Sequence, residues 1–231
     1  MKNLLLYTDI GDDIDDTLAL CHLLEYTQHK LLAIITTGGD TSKRKQEAQK
    51  ICTMYQSDTP IFAGSQKNID TWHTPDYIEK LSSIIQQHKD ITVISIWPCT
   101  DLAYTYLHIP QAQDNIEHII YQGDTMPNTN MPDTTNAHNF RCDPQAALRC
   151  AENITVPQQY IGKKLAYVNP LSEQDLQQFS ARTEVNNHIV QQAKIRYQRF
   201  KTLNPEKRHE IYGNNPWVLS FPYDRETVKK V

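Results

Sequence analysis

Apolar and polar residues alternate along this chain in blocks that predict strands separated by helices. Leu4-Leu5-Leu6-Tyr7 is a short apolar run of the kind that fills a buried strand. An acidic turn from Asp9 to Asp16 follows, and then a helical pattern of apolar positions at Leu18, Ala19, Cys21, Leu23 and Leu24. Leu31 to Thr36 predicts a second strand, broken by Gly38-Gly39, with Ser42 as the cap of a helix running to about Tyr55. Pro60 to Ala63 is a short strand stopped by Gly64, residues 65–75 read as loop, and Asp76 to His88 fits a helix. Ile91 to Ile96 is rich in β-branched residues and predicts a strand that Pro98 ends, with a helix beginning near Thr100. Ile116 to Tyr121 gives another strand. A long polar loop over 124–138 comes next, and then a helix from Asp143-Pro144 through Cys150 with proline in its first turn. One or two strands are expected over 154–168, a short helix opening at Ser172 and Glu173, an amphipathic helix over 185–203, and an irregular tail from Tyr212.

Strands alternate with helices through the first 150 residues, and hairpin signals are lacking. That order predicts an α/β fold: an open, mainly parallel central sheet with helices on both faces. With no linker, repeat or low-complexity stretch in 231 residues, one domain is expected. In such sheets ligands bind outside the C-terminal ends of the strands, where the motifs below fall.

Composition narrows the function classes. Hydrophobic residues make up 39% and charged residues 22%, with a mean hydropathy of −0.59 and a pI near 6.1, a polar but globular balance. The formal charge of −4 argues against a nucleic-acid binder. No apolar run approaches the roughly 18 residues of a bilayer span, and the N-terminal apolar stretch is too short for a secretion signal, so no membrane partner and a cytoplasmic location are expected. Lys43-Arg44-Lys45, a local basic stretch, reads as the solvated face of a helix. The five cysteines (Cys21, Cys52, Cys99, Cys142 and Cys150) form no Cys-x-x-Cys pair, which excludes zinc-ribbon and thioredoxin readings and points to small buried apolar groups.

The chemistry concentrates in Thr8-Asp9-Ile10-Gly11-Asp12-Asp13-Ile14-Asp15-Asp16, which places five carboxylates within eight residues. Packed together they repel and raise one another's pKa. A helix start absorbs one or two of them. A hard divalent cation, calcium or magnesium, accommodates more through oxygen ligands. The spacing is not that of an EF-hand.

This segment, continued by Thr17-Leu18-Ala19-Leu20, resembles the N-terminal signature of the inosine-uridine preferring nucleoside hydrolase family, a strand followed by Asp-x-Asp-x-Gly, Asp-Asp and an Ala/Leu-rich helix. Later segments match in order. Ile35-Thr36-Thr37-Gly38-Gly39-Asp40 resembles the second strand and its Gly-Asn turn, and Pro60-Ile61-Phe62-Ala63-Gly64 the Pro-Val-x-x-Gly strand. Ile94 to Ala103 resembles the segment containing Gly-Pro-Leu-Thr-Asn-Leu-Ala, Ile119 to Gly123 the Met-Gly-Gly strand, and Asn139 to Ala147 the Asn-x-x-x-Asp-Pro-Glu-Ala-Ala segment. Together they span residues 4–150.

The resemblance implies calcium-dependent hydrolysis of the N-glycosidic bond of a ribonucleoside or modified N-riboside through an oxocarbenium-like transition state. Carried over by position, Asp9 is a metal ligand and the general base, and Asp16 is a second carboxylate ligand. Thr100 offers its backbone carbonyl to the metal, and Asp224 closes the ligand set. Asp15 and Asn139 hold the ribose hydroxyls. Two extra residues separate Gly11 from Asp15-Asp16, which leaves Asp13 as either a further ligand or a group behind the ligands. Tyr223 stands where the family often has a His that helps the leaving group, Ala137 near a Glu that binds the 5′-hydroxyl, and Trp97 in place of a Gly beside the metal loop. The 5′ end and the base are therefore expected to be recognised differently. Trp97 stacks on the base or plugs the core. His138 donates a proton or a hydrogen bond, or is structural. Met126 and Asn130 in the long loop are placed to contact the base or the 5′-hydroxyl, and His73 lies in a loop over the site. Members are often dimers or tetramers, so a homodimer or homotetramer is compatible.

Two other readings compete. Asp13-Ile14-Asp15-Asp16-Thr17-Leu18 resembles the Asp-x-Asp-x-Thr nucleophile motif of magnesium-dependent haloacid-dehalogenase-type phosphatases. However, the first strand delivers Asp9 to its end, and the Asn139 to Ala147 segment stays unexplained. The changed 5′-end residues also motivate a non-catalytic metal- and ribose-binding scaffold.

Overall fold

The computed structural model describes residues 1–25, 28–66, 74–162, 172–202 and 204. Its centre is a six-stranded sheet: β1 (Lys2–Thr8), β2 (His29–Thr36), β3 (Ile61–Ala63), β4 (Ile91–Ser95), β5 (Ile116–Gln122) and β6 (Gln158–Ile161). The spatial order is β3-β2-β1-β4-β5-β6, and every pairing is parallel. The helices are α1 (Asp15–Glu25), α2 (Thr41–Met54), α3 (Ile78–Gln87), α4 (Thr100–His108), α5 (Ala112–Asn115), α6 (His138–Cys142), α7 (Pro144–Asn153), α8 (Glu173–Gln177) and α9 (Thr183–Thr202).

Strand β1 reads as an unbroken apolar run because both of its faces are covered, as in a parallel sheet flanked by helices. Its side chains alternate between two cores. Leu5 and Tyr7 pack with Leu81 and Ile85 of α3, Leu102 of α4 and Ala146 and Cys150 of α7. Leu4 and Leu6 pack with Leu18 and Cys21 of α1, Ile51 of α2 and Val185 and Ile189 of α9. Four cysteines are buried free thiols and Cys142 is partly exposed. Among the described residues, no helix is long and apolar enough to cross a membrane.

Several local expectations change. Asp40, not Ser42, caps α2, because its carboxylate accepts from the Lys43 backbone N–H at 3.1 Å. Helix α3 starts at Ile78 instead of Asp76, since the residues after Pro75 first form a turn in which the Ile78 N–H donates to the Pro75 carbonyl. The short α5 and α6 carry too few residues to show a period. The 124–138 loop folds back on itself through an antiparallel bridge between Thr125 and Pro132. His73, Tyr223, Asp224 and the tail from Tyr212 lie outside the described residues.

The strand order fixes where a ligand belongs. From β1 the chain steps outward to β2 and β3, then returns to β4 on the other side of β1 and steps outward to β5 and β6. The two halves diverge between β1 and β4, and a crevice opens there at the C-terminal strand ends. Asp9 follows β1, and Trp97 and Thr100 follow β4, so both sets of residues border that crevice.

Candidate active site

The acidic loop leaves β1 at Thr8 and enters α1 at Asp15. Its outer bonds tie it to both neighbouring strands: the Thr37 N–H donates to the Thr8 carbonyl at 2.9 Å, and the Ile96 N–H donates to the Tyr7 carbonyl at 3.0 Å. Within the loop the Thr8 hydroxyl plays two parts, donating to Asp16 Oδ1 and accepting from the Ile10 N–H. Asp9 and Asp16 are both buried. Burial, then the Asp16 carboxylate, pushes Asp9 well above the ordinary carboxylate range, against the opposing pull of Arg44. Burial likewise raises Asp16, opposed by hydrogen bonds from Thr8 and Asp9. Asp15 is pushed up to about 8 by burial and by the charges of Asp16 and Asp13. Its Oδ1 is buried with no hydrogen-bond partner.

The remaining two carboxylates of the loop meet arginines. Asp12 accepts from Arg44 Nη2 at 2.6 Å, and Asp13 from Arg196 Nε at 2.5 Å. Arg44 also donates to the Gly38 carbonyl (2.5 Å) and the Ile10 carbonyl (3.3 Å), and its Nη1 lies 3.7 Å from Asp9 Oδ2. The sequence reading put Arg44 on a solvated face. Lys43 and Lys45 are indeed exposed, but Arg44 is buried. The signal was present: Thr41, Arg44, Ala48 and Ile51 recur at helical spacing and form the buried face of α2. Arg196 follows Val185, Ile189 and Ala193 on the buried face of α9 in the same way.

Trp97 is half-buried, neither a core plug nor a free ring. The Nε1 edge of its indole abuts Gly38, where an added Cβ would stand 2.3 Å from Nε1. The Arg44 guanidinium sits 5.9 Å from its ring centroid, and the His138 ring is tilted against it at 5.7 Å. His138 opens α6 with part of its surface exposed, and partial desolvation of the ring, then Arg141, lowers its pKa. Its Nε2 is 3.6 Å from Cys142 Sγ.

Asn139 is buried, and its side-chain amide nitrogen spans the ends of β4 and β5. It donates to the Ile96 carbonyl (3.2 Å), the Gln122 carbonyl (3.2 Å) and Gln122 Oε1 (2.6 Å). Any bond to a sugar hydroxyl therefore runs through Oδ1. Thr100 opens α4, and its hydroxyl donates to Asp143 at 2.6 Å, while Asp143 caps α7. Met126 and Asn130 occupy an exposed turn shaped by its own bonds, Met126 N–H to Met131 carbonyl (2.9 Å) and Thr129 N–H to Met126 carbonyl (3.1 Å).

The structure thus gathers Asp9, Asp15, Asp16, Trp97, His138 and Asn139 around the ends of β1, β4 and β5, and sets Met126 and Asn130 on a separate turn. Sequence reasoning missed Arg44, Arg196, Gln122 and Asp101. Asp101 lies buried under the crevice and accepts from the Ser65 N–H and hydroxyl (3.0 Å each) and the Tyr77 hydroxyl (2.6 Å).

The donors fit a hard divalent cation in chemistry: carboxylate oxygens of Asp9 and Asp16, a buried unpartnered oxygen on Asp15, and no sulfur or imidazole among them. Among the described residues no group of three His, Cys, Asp or Glu side chains closes on one point. The phosphatase motif fares worse. It needs its nucleophile at the end of β1, but β1 ends at Thr8-Asp9 and Asp13 is paired with Arg196.

The model of the inosine-uridine preferring nucleoside hydrolase family matches residues 4–215 of the sequence. No curated protein matches it. Several solved structures share the fold. The type III effector protein XopQ, complexed with adenosine diphosphate ribose, is 16% identical with a TM-score of 0.76, covering 98% of this chain and 80% of its own. The plant nucleoside hydrolase PpNRh1 is 16% identical with a TM-score of 0.73, covering 99% and 79%. The inosine-uridine preferring nucleoside hydrolase from Bacillus anthracis is 16% identical with a TM-score of 0.65, covering 84% and 76%.

Proposed function

Because this chain belongs to the inosine-uridine preferring nucleoside hydrolase family, whose members are N-glycosyl hydrolases, we propose that it hydrolyses the N-glycosidic bond of a ribonucleoside or modified N-riboside, with calcium as the bound cation. One observation carries the reading. Asp9 and Asp16 lie buried together at the end of β1, beside an unpartnered Asp15 oxygen, at the point where the two halves of the sheet diverge.

Asp9, Asp16, the Thr100 carbonyl and Asp224 would hold the metal, with Asp13 behind them on Arg196. When bound, calcium would supply Lewis-acid chemistry that makes a water more acidic. Asp9 takes the water's proton as the general base. Asp15 and Asn139 Oδ1 accept from the ribose hydroxyls and fix the sugar. The carboxylates of the loop stabilise positive charge as it develops on the ribosyl ring. Trp97 presents its indole to the base. His138, tilted against Trp97, gives the leaving base a proton or hydrogen bond, a role that Tyr223 shares.

The test is release of free ribose from a panel of natural and modified ribonucleosides, with calcium and after chelation. Adenosine diphosphate ribose joins the panel because the XopQ structure holds it, with free adenine as its readout, since both of its riboses stay on the diphosphate. Ribose release that stops on chelation and returns with calcium is expected. Calcium binding without release from any compound would replace the enzyme by a binding scaffold.

Asn139→Ala separates sugar recognition from metal binding. Turnover should fall by about 100-fold, while calcium affinity measured by calorimetry stays within about threefold. An equal loss in both would assign Asn139 to tying β4 and β5 together and nothing more.

A further inference from the structure

The acidic loop carries five carboxylates, and two of them, Asp12 and Asp13, fall in the stretch lengthened by two residues. These two meet arginines from distant helices, Arg44 of α2 and Arg196 of α9. Arg44 does more than pair with Asp12. Its guanidinium bonds the carbonyls of Ile10 and Gly38, stands 3.7 Å from Asp9, and lies over the ring of Trp97. One buried cation therefore bridges the loops that follow β1, β2 and β4, three walls of the crevice.

Resting on the calcium reading above, we propose that Arg44 is a built-in counter-cation of the metal site: a positioning residue that holds the acidic loop assembled before calcium arrives and, in doing so, weakens calcium binding. The physical reason is competition for the same negative charge. A guanidinium at ion-pair distance from Asp9 in a buried setting relieves part of the repulsion that calcium would otherwise relieve. It also repels the incoming dication. The two cations are thus coupled negatively, and the coupling is reciprocal. Removing the charge destabilises the metal-free protein more than the calcium-bound one, so calcium binds more tightly. A merely structural arginine would give the opposite sign, because a loosened loop must be reordered by the ion.

The test measures calcium affinity by calorimetry, with calcium chloride alone as the ligand, and thermal stability in chelator and in saturating calcium. Arg44→Gln keeps an amide near Gly38 and Asp12 but loses the charge. It is expected to bind calcium about tenfold or more tightly than the wild type, to melt lower in chelator, and to regain more of its melting temperature with calcium than the wild type gains. Arg44→Lys keeps the charge and loses the fork, and is expected to stay within about threefold of wild-type affinity. Arg196→Gln removes a charge paired with Asp13 rather than Asp9, and should tighten binding by a smaller factor. Unchanged or weaker calcium binding by Arg44→Gln, or equal behaviour of the Gln and Lys variants, would overturn the proposal and leave the metal reading standing. A wild-type protein that binds no calcium would overturn both.

Discussion

Asp9→Ala is expected to lower riboside hydrolysis by about a thousandfold or more while leaving the protein at least as stable. On the proposed reading the loss of activity combines two roles. General-base catalysis alone contributes about 10²- to 10⁴-fold, and the variant also lacks one carboxylate of the proposed metal site. The stability follows from the pKa. Burial and Asp16 raise Asp9 well above the ordinary range, so the folded protein holds its proton more tightly than the unfolded chain. Such a group costs stability once pH exceeds the unfolded value, and the cost grows until the raised folded value is passed. At neutral pH and in chelator, alanine removes that cost. The melting temperature should therefore hold or rise while turnover collapses, a trade expected where function stores unfavourable charge. Asp9→Asn keeps the volume and should show the same split. Turnover near wild type in either variant would remove Asp9 from the chemistry.

The largest loss of stability should come from a residue that touches no substrate. Asp101 is fully buried in the first turn of α4, and its carboxylate receives the Ser65 N–H and hydroxyl and the Tyr77 hydroxyl. Gly64 packs so close to it that an added Cβ would stand 2.7 Å from the carboxylate. Asp101→Ala strands these donors without water. Each unsatisfied group costs about 1–3 kcal/mol, offset in part because burial already raises the Asp101 pKa. A net loss of about 3 kcal/mol corresponds to a drop in melting temperature of roughly 6–12 °C for a chain of this size. The damage should also reach the crevice, since the Ser65 carbonyl accepts from the Gly38 N–H at 2.8 Å and Gly38 carries Trp97. Asp101→Asn keeps the shape and one accepting oxygen, and should lose less than half as much. A melting temperature unchanged in Asp101→Ala would show that the donors find other partners.

The sheet was legible because its signal is local. Runs such as Ile91 to Ile96 are apolar and β-branched, and alternation with helical periods gives a parallel topology without long-range information. The acidic loop was legible for the same reason, since its carboxylates are neighbours in sequence. Its electrostatic partners were not. Arg44 lies 32 residues from Asp12, and Arg196 lies 183 from Asp13. Two exposed lysines beside Arg44 gave the segment the look of a solvated face, although helical spacing with Ala48 and Ile51 pointed inward. The cap of α2 was missed by two positions because Asp40 and Ser42 are both good capping residues, and only the backbone decides between them. Asp101 falls just after the expected helix start near Thr100, and nothing local marks it out. Its importance arises from Ser65 and Tyr77, which the fold alone brings to it.

The contact between Arg196 and Asp13 has a consequence for the order of events during synthesis. A loop near the start of the chain obtains one of its cations from a helix made almost at the end, and His188 and Gln192 of that helix also grip Glu47 on α2. The nascent chain can pair β1, β2 and β4 as soon as they leave the ribosome. Arg44 is available early to pair with Asp12, but Asp13 lacks its arginine until about 180 further residues have emerged. Completing the charge pairing of the acidic loop is therefore a late step that waits for α9 to dock, and a ribosome-stalled chain ending before Thr183 would carry the parallel strands with Asp13 still without Arg196.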